Sequence, residues 1–254
     1  MRLLKREIIQ SHYRNGDGNF FLPGKEGINS SFPGMEKDVL PSSWIALKNS
    51  RNVASFLDPE RNCFIKICRR NSFWKSLKRR LCYPRPFRCL AGALRLKELG
   101  IPTPEVWYAS RYVLVTESLG KENQFLNQFP VPAQDLLEML IRLHRGGFFH
   151  GDLNYRNLYR TADGRFGLID LDAVQLYPGV VPFRLRMKEL ARIISSGVQA
   201  EQIRSWSRIR SLAAEQCALY KEKSSLSCDP DLVTKIVCAN LKHAGKRYGI
   251  QYYE

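Results

Sequence analysis

Acidic residues are scarce in this chain, and the scarcity is concentrated: from Arg61 through Lys97 there is no Asp or Glu. Over the whole sequence 24 acidic residues face 40 basic ones, a formal net charge of +16. A surplus of that size predicts an anionic partner, whether a phosphorylated substrate, an acidic lipid surface or nucleic acid, and charge alone does not choose among them. No dedicated nucleic-acid recognition motif is present. The seven cysteines (Cys63, Cys68, Cys82, Cys89, Cys217, Cys228, Cys238) contain no Cys-x-x-Cys pair. Their odd number and scatter fit reduced thiols and argue against a disulfide framework or a zinc site. No apolar run reaches the length of a membrane span, and the opening Met1-Arg2-Leu3-Leu4-Lys5-Arg6-Glu7 is too charged to begin a secretory signal. The expectation is a cytoplasmic protein that meets a membrane, if at all, only at its surface. Neither an internal repeat nor a long low-complexity tract is visible.

What is there begins with size: 254 residues, 44% hydrophobic and 25% charged, suit one large domain or two small lobes around a shared cleft. The most informative stretch is His150-Gly151-Asp152-Leu153-Asn154-Tyr155-Arg156-Asn157, followed eighteen residues past Asp152 by Leu168-Ile169-Asp170-Leu171-Asp172. These resemble the two metal-and-base segments of a kinase-type phosphotransferase, in order and at the right separation. Asp152 can accept a proton from an attacking hydroxyl. Asn157, five residues on, can turn back to hold Mg²⁺, and Asp170 can chelate Mg²⁺ bridging the nucleotide phosphates. Between them, residues 157–160 and 165–169 flank Thr161-Ala162-Asp163-Gly164, two short strands joined by a hairpin whose Asp-Gly can take positive φ. Such a hairpin brings Asn157 and Asp170 to the same end. An Asp and an Asn five apart occur by chance in many chains, and Asp-rich loops are commonly solvated turns. Here the octapeptide, the hairpin and the second Asp segment agree in order, spacing and local structure, and a motif counts when its context fits.

Upstream, residues 1–42 read as a turn-rich leader of unclear role. Strands are expected over 44–48, 53–57 and 63–67, with Asp58-Pro59-Glu60-Arg61-Asn62 turning between the last two. Alternation on the third puts Phe64 and Lys66 on one face and Ile65 and Ile67 on the other. Lysines on strands are often solvated edge residues, but Lys66, upstream of the catalytic segment, reads better as the lysine that holds nucleotide phosphates. After it come ten cations, from Arg69 to Lys97, without one acid, and they enclose Phe73-Trp74. A solvated face explains a short charge run; ten like charges favour an anionic partner, a membrane interface or stacked nucleic acid. A helix is expected over 87–99, stopping at Gly100, then strands over 105–109 and 112–116 to complete five. Glu117-Ser118-Leu119-Gly120 is expected to be the hinge that meets the adenine. A helix from Pro132 to Gly146-Gly147 carries His144 near its end, and His150 is read as a buried brace of the catalytic loop. After Asp172 little chain remains before helices over 183–194, 200–221 and 231–247, too little for the docking platform of protein kinases. The fold class is therefore α+β: a bilobal protein-kinase-like fold with a small antiparallel β-sheet N-lobe over 43–118 and a mainly helical C-lobe with the catalytic loop over 119–254.

With these residues in hand, the chain resembles the lipopolysaccharide core kinases, the Kdo kinase and heptose kinase family of Gram-negative bacteria. The likeness covers residues 44–195 and rests on the Ile65-Lys66 strand, Leu99-Gly100-Ile101-Pro102-Thr103-Pro104, Leu114-Val115-Thr116-Glu117 and the two catalytic segments. It implies phosphate transfer from ATP to a sugar hydroxyl of the lipopolysaccharide inner core, at the cytoplasmic face of the inner membrane. By that resemblance Asp152 is the base, Asn157 and Asp170 the Mg²⁺ ligands, and Lys66 the phosphate-binding lysine; Glu117, in the expected hinge, and Lys48 are further candidates for binding the nucleotide. The lipid-linked anionic acceptor accounts for the positive charge. Three departures stand out. The loop Asn49-Ser50-Arg51-Asn52-Val53 has no glycine to cradle phosphates. No acid lies between Ile67 and Lys97 to pair with Lys66, so either that ion pair is absent or a carboxylate from elsewhere serves. Asp172 stands where protein kinases have glycine, as a second Mg²⁺ ligand or as a hydrogen-bonded loop residue. Two other readings stay open: a soluble phosphotransferase similar to aminoglycoside and choline kinases, and a pseudokinase that binds nucleotide or anionic lipid without chemistry.

Overall fold

The computed structural model describes residues 20–21, 43–68, 84–120, 122–125 and 133–254. Most of the leader, the cations from Arg69 to Arg80 with Phe73-Trp74, and Pro132 lie outside the described residues. The chain divides into two compact units. One holds the described residues of 1–98, 103–121 and 170–173; the other holds those of 99–102, 122–169 and 174–254.

The first unit is built on a six-stranded antiparallel sheet of β1 (Phe20–Phe21), β2 (Ile45–Asn49), β3 (Val53–Asp58), β4 (Cys63–Cys68), β5 (Val106–Ala109) and β6 (Val113–Glu117), in the order β1-β5-β6-β4-β3-β2. Five of these are the strands expected from sequence. The sixth, Phe20–Phe21, pairs its backbone with Ala109 and Tyr108; two residues are too few to give a periodic signal. The alternation of β4 is as its sequence dictates. Ile65 and Ile67 enter a core with Trp44, Phe56, Val113 and Val115, which leaves Phe64 and Lys66 on the opposite face. Buried Asp58 closes the β3–β4 turn, accepting from Glu60 and Arg61 backbone N–H groups at 3.1 and 3.2 Å and from Trp44 Nε1 at 3.2 Å. In the glycine-free β2–β3 turn, Ser50 does the closing: its Oγ donates to Val53 O at 2.8 Å and accepts from Val53 N at 3.2 Å. The helix α1 (Arg85–Glu98) buries Cys89, Leu90, Ala93 and Leu96 along one face and packs on β5 and on the 3-10 turn Leu171–Ala173.

The second unit contains β7 (Gln124–Phe125), α2 (Ala133–Arg145), β8 (Phe148–Phe149), the 3-10 turn Tyr155–Asn157, β9 (Leu158–Arg160), β10 (Phe166–Leu168), β11 (Gln175–Leu176), α3 (Phe183–Ala200), α4 (Trp206–Ser224) and α5 (Pro230–Tyr248). Its sheets are small, β10-β9-β7 and β11-β8. Leu140, Leu143, Phe148, Leu153, Leu158, Leu168 and Leu176 are fully buried beneath them. The helix expected from residue 200 begins at Trp206 instead. Gln202 takes a left-handed φ of 55°, which ends α3, and Ser205 caps the new helix by accepting from Arg208 N. Asp229 caps α5 in the same way, accepting from Leu232 N at 3.0 Å. Among the described residues no helix is long and apolar enough to cross a membrane.

Candidate active site

Lys66 projects from the middle of β4, a strand held on both sides by β3 and β6, so its backbone has no freedom to wander. Its Nζ lies 2.7 Å from Asp170 Oδ1 and 2.9 Å from Asp172 Oδ2. Burial works against the charge, but the carboxylates of Asp172 and Asp170 outweigh it and hold the ammonium above the usual lysine range. The two aspartates are not equivalent. The Asp170 side chain is 44% exposed, whereas that of Asp172 is 20% exposed and ringed by donors. Cys89 Sγ on α1 donates to Asp172 Oδ1 at 3.2 Å, and Arg85 Nη1 stands 3.9 Å from Oδ2. Burial alone would raise the Asp172 carboxyl; Lys66, Cys89 and Arg85 instead hold it below the ordinary aspartate value. Burial and the facing Asp172 carboxylate push the Cys89 thiol well up, which keeps its proton on the sulfur as a donor. Glu98, the acid of α1, pairs with Arg95 at 2.5 Å and not with Lys66.

In the second unit the octapeptide forms a tightly tied loop. Asn157 Nδ2 donates to Asp152 O at 2.8 Å, so the asparagine does fold back on the aspartate five residues before it. Asn154 Nδ2 donates to the same carbonyl at 2.9 Å, and its Oδ1 accepts from Arg156 N at 3.0 Å, capping the 3-10 turn. His150 is fully buried. Its Nδ1 accepts from Asp152 N at 3.4 Å, which makes Nε2 the donor to Ile169 O at 3.0 Å. The backbone of Asp152 is thus held by three side chains while the residue itself stays exposed. The β9–β10 hairpin carries the loop onward with its tip at Asp163-Gly164. At its open end Ile169 N donates to Asn157 O at 3.0 Å, one residue before Asp170.

The loop is anchored from below by residues that the sequence reading did not single out. Gly151 has φ 85°, a conformation open to glycine and costly for other residues. Its N–H donates to Glu189 Oε1 at 2.7 Å, and its carbonyl accepts from Arg192 Nη1, both from α3. Glu189 is fully buried and its Oε2 accepts from His144 Nε2 at 3.2 Å. His144 Nδ1 accepts in turn from Tyr220 Oη at 2.8 Å, a hydroxyl that Arg186 Nη1 reaches at 3.4 Å. Burial lowers the His144 pKa despite the neighbouring carboxylate, so the ring is neutral and the tautomer follows from the network. His144, read from sequence as a helix-end residue, is therefore the hub of a buried network.

Two further expected residues take these positions. Lys48 lies on the exposed edge strand β2, opposite Ser55. Glu117 N donates to Glu105 O at 2.9 Å and its Oε1 accepts from Glu105 N at 3.0 Å, so the residue ties the end of β6 to the chain entering β5. Taken singly, the half-exposed Asp170 carboxylate of the first unit is a hard oxygen donor of the kind Mg²⁺ takes, and so is the Asn157 amide oxygen of the second. No cluster of three His, Cys, Asp or Glu side chains suited to a metal occurs among the described residues. Magnesium that draws its remaining ligands from phosphate and water needs no such cluster.

The architecture is α+β and protein-kinase-like in its order of parts along the chain: a sheet with a lysine on its third main strand, then an Asp-x4-Asn loop, a hairpin and a second Asp segment, followed by helices. No family model matches the chain, and no curated protein matches it in sequence. Among solved structures it is similar to the Rio2 kinase–ADP/Mg²⁺–phosphoaspartate complex from Chaetomium thermophilum, at 17% identity over 95% of this chain and 84% of that one, with a TM-score of 0.49. It is also similar to the bifunctional kinase-methyltransferase WbdD, at 15% identity over 80% of this chain and 53% of that one, with a TM-score of 0.47. The chain thus spans about half the length of WbdD.

Proposed function

We propose that the protein is an ATP-dependent phosphotransferase that phosphorylates a sugar hydroxyl, Kdo or heptose, of a lipopolysaccharide inner core. The observation that carries the phosphotransfer reading is the Asn157–Asp152 link of 2.8 Å, which holds the backbone of an exposed carboxylate at the spacing the chemistry needs. In this reading the acceptor oxygen attacks the γ-phosphorus of ATP, the bond to the bridging oxygen breaks, ADP leaves, and Asp152 takes the hydroxyl proton. Lys66 holds nucleotide phosphates. Asn157 and Asp170 are the metal ligands by motif order, and a bound Mg²⁺ would neutralise charge on the phosphates. The acceptor class is supported by the resemblance of the motif set to the core kinases and by the net charge of +16, which suits an anionic lipid-linked sugar better than a cationic amine.

The test is mass spectrometry of lipid A–core from a strain lacking this protein, complemented with wild type or Asp152→Ala. Loss of one phosphate, restored only by wild type, is the expected result. In vitro, Asp152→Ala should lower phosphate transfer by about 10²- to 10⁴-fold, the usual contribution of a general base. An unchanged core, together with rapid phosphorylation of soluble amines or free sugars, would replace the core-kinase reading with a small-molecule kinase. An unchanged core with no ATP turnover at all would leave a pseudokinase.

A further inference from the structure

We infer that Asp172 is the positioning carboxylate for Lys66, in the place that a helix glutamate would otherwise fill. This rests on the phosphotransfer reading and concerns the same lysine. The problem it answers was visible in the sequence: α1 offers no acid to Lys66, because Glu98 is engaged by Arg95 at 2.5 Å. The structure supplies the carboxylate from the segment that carries Asp170. Asp172 sits on the 3-10 turn Leu171–Ala173, which packs against α1. One of its oxygens meets Lys66 Nζ at 2.9 Å, and the other accepts the Cys89 thiol at 3.2 Å.

The arrangement also decides between the two roles open to Asp172. A metal ligand needs an oxygen facing the ion and able to give up its present partner. Both Asp172 oxygens are directed at protein donors from β4 and α1, and the side chain is only 20% exposed. Asp170, at 44% exposure, has the accessible carboxylate. A division of labour follows. When nucleotide and metal arrive, Lys66 must turn to phosphate and Asp170 to the metal, so their 2.7 Å contact is the one that gives way. Asp172 keeps the ammonium on its strand face throughout. Cys89 contributes by fixing the carboxylate rotamer, as the donors behind a metal ligand fix theirs.

The experiment is isothermal titration calorimetry of ATP binding to the full chain, in EDTA and in Mg²⁺, for wild type, Asp172→Asn, Cys89→Ala, Lys66→Ala and the Lys66→Ala/Asp172→Asn double variant. Asp172→Asn is expected to weaken metal-free and Mg²⁺-bound ATP alike, by about tenfold, the size typical when an orienting partner is lost. Cys89→Ala, which leaves every charge in place, should weaken both by a smaller factor. In the Lys66→Ala background Asp172→Asn should add nothing, because an orienting group has no effect once the group it orients is gone. A loss confined to Mg²⁺-ATP would make Asp172 a metal ligand and overturn the inference. So would an undiminished loss in the Lys66→Ala background, or unchanged binding in a folded Asp172→Asn. If Asp172→Asn does not fold, Cys89→Ala decides: unchanged binding in that variant overturns the inference. A wild-type protein that binds no nucleotide would remove the phosphotransfer reading itself, a result distinct from all of these.

Discussion

In the sheet-bearing unit Lys66 keeps its charge because two carboxylates face it; in the helical unit His144 gives its charge up because burial outweighs the one carboxylate beside it. The first cluster is partly open to water and has two anions for one lysine, so a contact can be exchanged without leaving a bare charge. The second is closed. Arg186, Tyr220 and His144 donate in turn toward Glu189, which also accepts from the Gly151 N–H, so both of its oxygens are committed. Charge pairing at a surface suits a group that must change partners during a reaction. A buried, fully satisfied chain of hydrogen bonds suits a loop that must not move.

The largest effect that separates the two should come from Glu189→Ala. It leaves the Gly151 N–H and His144 without their acceptor in a site closed to water, and a loss of about 3–5 kcal/mol in unfolding free energy is expected. Phosphate transfer should fall with it. Asp172→Asn should lose clearly less stability, since Lys66 still has Asp170 at 2.7 Å. Urea unfolding of both variants checks this pair. Equal losses would mean that the Lys66 cluster is as rigid as the Glu189 cluster, and the contrast between them would fail.

A second effect is a pH dependence. The folded pKa of His144 lies below its ordinary 6.5. Between those two values the unfolded chain binds a proton that the folded chain refuses. Stability is therefore complete above the unfolded pKa and is lost as pH falls through that window, by at most about 1.4 kcal/mol per pH unit for the one group. Glu189, Arg186 and Tyr220 are the charged and titratable groups facing the ring, and Glu189 partly offsets the effect of burial. Denaturation curves at pH 7.5 and 5.5 should show the loss in wild type, and the slope should shrink in His144→Gln. Lys66, raised and far from this range, contributes no slope there. An unchanged slope in His144→Gln would assign the acid sensitivity elsewhere.

The sequence exposed one of these clusters far better than the other. The strands, the Lys66 face, the Asp152–Asn157 spacing and the hairpin were legible because each is a local pattern: alternation, a five-residue return, an Asp-Gly turn. Asp172 was visible as a residue but not as a partner, because its contact with Lys66 spans more than a hundred positions and depends on where α1 lies. Glu189 was harder still. A charged residue in an amphipathic helix ordinarily reads as part of the solvated face, and only its burial against Gly151 reveals it as an anchor. His144 was placed correctly at a helix end, but its place in the buried network depends on Tyr220 and Glu189, which are distant in sequence. Phe20–Phe21 escaped because two residues carry no period.

The smallest effect belongs to the hairpin tip, where stability and activity should separate. Gly164 has φ 82°, and a Cβ there would meet nothing within 4 Å, so only its backbone conformation constrains the residue. Around it Thr161 N donates to Arg165 O at 2.9 Å, and Gly164 N donates to Thr161 O at 2.9 Å. Gly164→Ala should therefore cost about 1–2 kcal/mol through left-handed strain alone, and Gly164→Asn less, since asparagine tolerates that region. Both should leave phosphate transfer unchanged. The hairpin's register is set at its other end, by Leu158 opposite Leu168 and by the Ile169–Asn157 hydrogen bond of 3.0 Å. A Gly164→Ala protein that stays folded but loses transfer would show that the tip transmits strain to Asn157. The Asp152 loop would then depend on the hairpin as much as on Glu189.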